Sequence, residues 1–186
     1  MPECCNFALD VNHINTNKIM SKVCIIYGSS TGTCQGIAEK IAEKAGIGSA
    51  DVIDVANLDA DALAGYDTLL LGTSTWGAGE LQDDWYDGLE KLKDADLTGK
   101  TIALFGCGDS DSYSDTFCAA IGEIYEGLKG CGATFVGAVP TDGYSFDDSS
   151  AVVDGQFVGL ALDDVNESDK TDDRIAAWVE SIKASL

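Results

Sequence analysis

The sequence predicts an α/β fold in which a doubly wound, five-stranded parallel sheet carries helices on both faces. Strand-like apolar runs alternate with amphipathic stretches of helical period, which is the pattern of parallel strands joined by crossover helices. The run at 68–72 is continuously apolar, as expected for a strand buried on both faces. Residues 141–164 interrupt the alternation with two turn-rich pieces and a further apolar run. We interpret this segment as an insertion that splits the fifth strand.

Each element has its own signal in the sequence. Strand-like runs lie at 23–27, 51–55, 68–72, 101–106 and 133–139, and a returning run lies at 157–162. Apolar residues recur at helical spacing within 32–45, 82–93 and 117–128. Gly130 is predicted to close the third helix in a left-handed conformation. The last helix is predicted to start at Thr171, whose hydroxyl caps it, and to bury Trp178 in the core.

The acidic composition limits the classes of partner. The chain has 32 acidic and 11 basic side chains, and its formal net charge is -21. Such a surface repels nucleic acid and anionic membranes, and it attracts basic protein faces. These charges exclude a nucleic-acid-binding protein and favour a partner with a basic surface.

The length of 186 residues suits one domain, which we expect at 21–186 after a disordered extension at 1–20. No apolar run is long enough to span a bilayer, and the first residues do not read as a signal peptide. The seven cysteines form no CxxC pair, and Cys24 and Cys107 lie inside apolar runs. This usage favours buried thiols in a reducing cytoplasm.

The first twenty residues carry no interpretable chemistry. Met20 precedes the first strand and is a candidate start of translation. Cys4 and Cys5 are adjacent and could bind a metal or oxidise, but the polar tail around them favours an unstructured segment. The single histidine, His13, lies in the same tail and is expected at the surface. Neither a catalytic triad nor a zinc site can be assembled from the remaining residues. We therefore expect no catalytic residue and no metal.

A loop rich in small hydroxyl residues joins the first strand to the first helix, at 28–34. Its hydroxyl groups and the free amides of a helix N-terminus form a nest that suits a phosphate. The loop has no lysine or arginine, so it is not a loop that binds a nucleoside triphosphate, and it lacks the GxGxxG spacing of a dinucleotide site. A phosphate monoester is the better ligand, and a capped helix without a ligand is the alternative.

Two further loops each place an aromatic side chain at the carboxyl end of a strand. Trp76 lies among glycines after the third strand, and Tyr113 lies in a polar loop after the fourth strand. In a doubly wound sheet these loops lie at the same edge as the phosphate loop. Two aromatic faces and a phosphate nest together describe a site for flavin mononucleotide (FMN).

With these loops the chain resembles the long-chain flavodoxins over residues 22–186. The resemblance rests on Ser29-x-Thr31-Gly32, Thr75-Trp76, Gly79-Glu80-Leu81, the loop at 106–113, and the pieces at 141–144 and 157–163. It implies a sheet of order 2-1-3-4-5 and bound FMN. The implied contacts of the cofactor are Ser29, Ser30, Thr31, Gly32, Thr33, Cys34, Ser74, Thr75, Trp76, Gly77, Ala78, Gly79, Cys107, Gly108, Asp109, Tyr113 and Thr116. Cys34 departs from the family, which usually has threonine there, so one hydrogen bond to the phosphate is expected either to be weaker or to come from the backbone N–H of Cys34.

The resemblance also implies a function, that of a low-potential carrier of single electrons between redox enzymes. The peptide that joins Gly77 and Ala78 is expected to rotate and to present its carbonyl to the flavin after one electron and one proton have arrived. Acidic residues in or near the loops that carry Trp76 and Tyr113 are expected to lower the redox potential. The implied partners are basic faces of enzymes such as flavodoxin/ferredoxin reductases and 2-oxoacid oxidoreductases, and the protein is expected to be a monomer in the cytoplasm.

Three other interpretations compete with this one, and the sequence argues against the second. An FMN-dependent NAD(P)H:quinone reductase has the same fold but needs a substrate pocket over the ring. A phosphate-receiving signalling domain needs an aspartate at the end of the third strand, where this chain has Gly72-Thr73. A non-redox interaction module would use the insertion as its surface and would bind no flavin.

Overall fold

In a computed structural model that describes residues 21–186, the first five strands form one parallel sheet. They are β1 (Val23–Gly28), β2 (Val52–Asp54), β3 (Thr68–Ser74), β4 (Thr101–Cys107) and β5 (Thr134–Val136). Their order is β2-β1-β3-β4-β5, which confirms the predicted fold class. Strand β3 is buried along its whole length, as its apolar run predicted.

Within residues 21–186, four α-helices cover the two faces of the sheet. They are α1 (Thr33–Ala45), α2 (Asp84–Asp94), α3 (Ala119–Leu128) and α4 (Ser168–Ile182). Helices α1 and α4 share one buried apolar cluster, and α2 and α3 share the other. Trp178 lies in the α1/α4 cluster, where its indole N–H donates to the Gly137 carbonyl at 2.8 Å. This places it in the core, as predicted.

The fifth strand is split into two pieces that pair with the same neighbour. Strand β5 pairs with the first half of β4, and β9 (Leu160–Leu162) pairs with Phe105, Gly106 and Cys107 in its second half. Between the two pieces, β6 (Val139–Pro140), β7 (Val152–Val153) and β8 (Gln156–Phe157) form a small antiparallel sheet. The insertion thus returns the chain to the carboxyl edge of the main sheet.

Apart from shifts of one or two residues at other helix ends, two helix ends differ from the sequence prediction. Helix α4 begins at Ser168, so Thr171 lies in its first turn, and the Thr171 hydroxyl bonds to Asp164 at 2.8 Å instead of capping the helix. The backbone N–H of Glu167 bonds to the carbonyl of Asp163 at 2.9 Å, and this turn starts the helix early. After α3, the left-handed residue is Gly132 and not Gly130. There the carbonyl of Gly132 accepts from the Gly99 amide.

The remaining sequence predictions concern other parts of the chain. Those on Cys4, Cys5, His13 and Met20, and on the extension at 1–20, lie outside the described residues. Within residues 21–186, no helix combines the length and the apolar composition needed to cross a membrane. The same residues contain no group of three or more histidine, cysteine or carboxylate side chains that could hold a metal ion.

Candidate functional site

The loops after β1, β3 and β4 meet at the carboxyl edge of the sheet and enclose an open cleft of about 300 Å³. Ligands bind at this edge in doubly wound folds because the loops diverge there. Eleven of the predicted contacts line the cleft: Thr31, Thr33, Ser74, Thr75, Trp76, Gly77, Cys107, Gly108, Asp109, Tyr113 and Thr116. The three predicted loops therefore do converge on one site.

The loop between β1 and α1 leaves the start of the helix without a side-chain cap. Gly32 precedes α1 with a φ of 92°, and no side chain caps the first turn of the helix. The Gly32 amide donates to the Ser29 hydroxyl at 3.1 Å, and the Ser30 hydroxyl accepts from the Gln82 side chain at 3.3 Å. The uncapped amides of α1 point out at the positive end of the helix dipole, where an anion is stabilised.

Cys34 does not face the cleft. Its side chain is fully buried in the α1/α4 cluster, whereas its neighbour Thr33 lines the cleft. A side-chain hydrogen bond with Cys107, together with burial, raises the pKa of the Cys34 thiol well above its ordinary value. The thiol is therefore neutral and inward-facing, and only the backbone N–H of Cys34 is available at the start of the helix.

A tight turn presents Trp76 at the rim of the cleft. The Gly79 amide donates to the Trp76 carbonyl at 3.0 Å, and the indole N–H of Trp76 donates to the Ser74 hydroxyl at 2.9 Å. The indole remains 42% exposed. Of the other turn residues, Gly77 lines the cleft, Ala78 is exposed outside it, and Gly79 is buried against α3. The Ser74 bond thus fixes an aromatic face that is open to a ligand.

One polar atom of the cleft lacks a partner. The hydroxyl oxygen of Thr75 is buried and has no hydrogen bond within the described residues, although the Thr75 amide donates to the Cys107 carbonyl at 3.0 Å. A buried hydroxyl without a partner costs about 1–3 kcal/mol, so this atom suits a ligand with a polar group at that position.

The loop that carries Tyr113 is closed on itself by Asp109. The Asp109 carboxylate accepts from the backbone amides of Ser112 at 2.9 Å and Asp111 at 3.1 Å, and its carbonyl accepts from the Tyr113 amide at 3.0 Å. The Ser112 amide and the Asn166 side chain lower the pKa of the Asp109 carboxyl. Tyr113 itself is 53% exposed at the rim.

Two residues of the cleft were missed by sequence reasoning. Asp164 and Val165 follow β9 and line the cleft, and Val165 is 68% exposed. Their loop reaches the site because β9 pairs with the carboxyl half of β4. The apolar run at 157–162 was the available signal for this loop. A second half-strand parallel to β4 places the loop after it at the same edge of the sheet.

Comparison with known proteins identifies the family. The family model for flavodoxin matches residues 25–178. Flavodoxin 1 of Azotobacter vinelandii is 48% identical over 164 residues, which are 86% of this chain and 94% of the relative. The flavodoxin of Helicobacter pylori is 45% identical and covers 90% of this chain and 99% of its own length.

A crystal structure of Fusobacterium nucleatum flavodoxin bound to flavin mononucleotide superposes with a TM-score of 0.81 at 32% identity. The match covers 90% of this chain and 99% of that structure. These matches extend over the sheet and over the loops that enclose the cleft. The chain therefore belongs to the flavodoxin family, as its loops predicted.

Proposed function

We propose that the cleft holds FMN non-covalently and that the loops after β1, β3 and β4 supply the residues that bind it. The protein is an FMN-based electron carrier and not an enzyme, in keeping with its family. The observation that supports the site most strongly is the convergence on one cleft of an uncapped helix N-terminus, Trp76 and Tyr113. Each group suits a different part of the cofactor.

Each part of FMN has a suitable group in the cleft. The first-turn amides of α1 and the hydroxyls of Thr31 and Thr33 suit the phosphate, whose charge the helix dipole stabilises without a lysine. Trp76 and Tyr113 offer exposed aromatic faces for a planar ring, which gains about 0.5–1.5 kcal/mol per face beyond burial. The unpartnered Thr75 hydroxyl suits a polar group of the bound cofactor.

FMN, when bound, supplies a ring that takes up and returns electrons one at a time. The chain positions that ring and sets its electrostatic surroundings. Acidic side chains in or near the loops that carry Trp76 and Tyr113 oppose added negative charge: Glu80, Asp83, Asp84, Asp109, Asp111 and Asp115. At separations of about 12 Å and an effective dielectric of about 40–80, each raises the energy of an anion by ~0.3–0.7 kcal/mol. Together they lower the potential on the order of 100 mV.

The basic character of the partners is inferred from charge, and the classes of enzyme are those that the family implies. A net charge of -21 and exposed acidic residues at the rim favour basic faces of redox enzymes, such as flavodoxin/ferredoxin reductases and 2-oxoacid oxidoreductases. We expect the protein to act as a monomer, because a carrier must leave its exposed rim free for each partner in turn. The five free cysteines of residues 21–186 suit a reducing cytoplasm.

The decisive experiment measures FMN binding by the purified protein, followed by anaerobic reduction in small steps. Tyr113→Ala is expected to weaken FMN binding by about 10-fold or more, because both stacking and burial are lost. Tyr86→Ala is the matched control, since Tyr86 is equally exposed at 53% but lies on α2 outside the cleft. Its FMN affinity is expected to stay within about twofold of the wild-type value.

Three results would contradict the proposal. A wild-type protein that binds no added FMN would remove the site, and equal effects of the two tyrosine substitutions would remove the role of Tyr113. Steady oxidation of NAD(P)H by a quinone, catalysed by the pure protein, would favour the reductase instead of the carrier.

A further inference from the structure

A buried carboxylate lies directly behind the cleft without lining it. Asp163 follows the last residue of β9 and is only 1% exposed. It is not among the residues that line the cleft, and none of the roles described above uses it. Because burying a charge is costly unless every lone pair is satisfied, its hydrogen bonds identify what it is for.

One oxygen of Asp163 holds the loop that carries Tyr113. Oδ2 accepts from the Ser110 amide at 3.0 Å and from the Ser110 hydroxyl at 2.5 Å. Ser110 lies between Asp109, whose carboxylate closes the loop, and the exposed Tyr113. A second hydrogen bond joins the same loop directly to β9, since the Gly108 amide donates to the Leu162 carbonyl at 3.0 Å. The loop is therefore attached to the end of β9 at two consecutive points.

The other oxygen of Asp163 holds the loop that starts α4. Oδ1 accepts from the backbone amides of Val165 at 3.2 Å and Asn166 at 2.9 Å. The side-chain amide of Asn166 then donates both to Asp163 and, at 2.9 Å, to Asp109. The Asp163 carboxylate thus connects the two loops, and the Asn166 side chain adds a second link between them by donating to Asp109.

The Asp163 carboxylate is held as an anion by neutral donors. Burial raises its pKa, but the hydrogen bonds from Ser110 and Asn166 outweigh burial and leave the pKa below its ordinary value. No lysine or arginine of residues 21–186 forms an ion pair with it. The charge of Asp163 is therefore stabilised only while the loops with Ser110 and Asn166 keep their present positions.

We propose that Asp163 is a positioning residue that fixes the Tyr113 loop against the end of β9, and thereby sets how Tyr113 and Asp109 meet the flavin. This inference rests on the proposed site for FMN. It also links the insertion to the cofactor, because β9 is the strand with which the chain rejoins the main sheet after the insertion. The ends of β9 and β4 together then determine the position of the ring.

The test is Asp163→Asn in the full chain. The substitution keeps the shape of the side chain, but its amide nitrogen must face either the Ser110 donors or the amides of Val165 and Asn166. A hydrogen bond to a charged group contributes about 10- to 100-fold to an equilibrium constant. We expect the dissociation constant for FMN to rise by about 10-fold or more. At saturating FMN, we also expect an altered visible circular dichroism band and a shift of at least one of the two one-electron potentials.

Thr68→Val separates positioning from stability. Thr68 is a buried residue at the amino end of β3, and its hydroxyl donates to the Ser185 carbonyl at 2.6 Å. Its replacement removes a buried hydrogen bond far from the cleft. We expect a lower free energy of unfolding for this variant, together with wild-type FMN affinity, dichroism and potentials.

Each outcome has a defined meaning. If the wild-type protein binds no FMN, the proposed function and this inference both fail. If wild-type protein binds FMN but Asp163→Asn at saturation has the wild-type dichroism and potentials, only the positioning role is refuted, even where its affinity is lower. If Asp163→Asn does not fold, Ser110→Ala replaces it, since that variant removes only the hydroxyl donor. Wild-type spectra and potentials for Ser110→Ala would then overturn the proposal, and altered ones would support it.

Discussion

The turn at Trp76 gives the sharpest prediction about redox tuning. The peptide between Gly77 and Ala78 can close the same turn in two orientations, which place a positive φ on residue 77 or on residue 78. Gly77 has a φ of 50°, and Ala78 is not among the residues with positive φ. The order glycine then alanine favours this orientation, because a left-handed conformation costs a residue with a β-carbon about 1–2 kcal/mol.

Gly77→Ala removes that preference. The added Cβ would collide with Oε2 of Glu80, but this is the far end of a flexible side chain and it can move. The conformational cost of about 1–2 kcal/mol therefore dominates, and it corresponds to about 40–90 mV in a one-electron potential. We expect the observed orientation to be the one in which this peptide presents its carbonyl to the flavin after the first electron has arrived. The potential for the first electron should then fall by this amount, and that for the second should change little.

The assay is an anaerobic spectroelectrochemical titration of the FMN-loaded protein. Ala78→Gly is the reciprocal variant, since it lowers the cost of the opposite orientation, and it should shift the first potential in the same direction. The double variant Gly77→Ala with Ala78→Gly should give the largest fall. An unchanged or higher first potential in Gly77→Ala would refute the assignment of this orientation.

Three further predictions concern affinity, stability and partner recognition. Cys34→Ala should bind FMN within about threefold of wild type, because the thiol is buried away from the cleft; a larger loss in a titration with FMN would give the side chain a role there. The carboxyls of Asp109 and Asp163 have lowered pKa values in the folded protein, so they stabilise it above their ordinary pKa of 3.8, and this stabilisation is lost as the pH falls through the folded-state values. Urea unfolding of the FMN-free protein should accordingly show a free energy of unfolding that declines from about pH 4 downwards, and a flat profile would contradict the lowered values. Electron transfer to a basic reductase should slow as the ionic strength rises from about 10 mM to about 500 mM, because screening weakens steering by a net charge of -21. A salt-independent rate in stopped-flow measurements would exclude a basic docking face.

Much of the site was predictable because its signals are local. The small hydroxyl residues before α1 and the aromatic residues after β3 and β4 each follow directly on an apolar strand. Since all parallel strands end at one edge, the sequence order of strands and helices was enough to bring Thr31, Trp76 and Tyr113 to one cleft. The acidic surface and the split fifth strand could also be predicted from the sequence, because neither prediction depends on a particular contact between side chains.

Other features depended on which side chain faces which neighbour. The period of α1 did not reveal that Cys34 turns into the core while Thr33 lines the cleft. The early start of α4 follows from a turn that the Asp163 carbonyl closes, and no capping signal at Thr171 could indicate it. Local patterns report helical period and turn residues, but they do not report the partner of a particular group.

The sequence by itself therefore determined the fold class, the family and the three loops that form the cleft. Only the tertiary structure decided that a fourth loop, with Asp164 and Val165, completes the cleft, and that Asp163 connects it to Ser110. Ser110 and Asp163 are 53 positions apart in the chain. Their contact exists because β9 returns beside β4 after the insertion. The apolar run at 157–162 indicates the returning strand, but it does not indicate the register that brings Asp163 to Ser110.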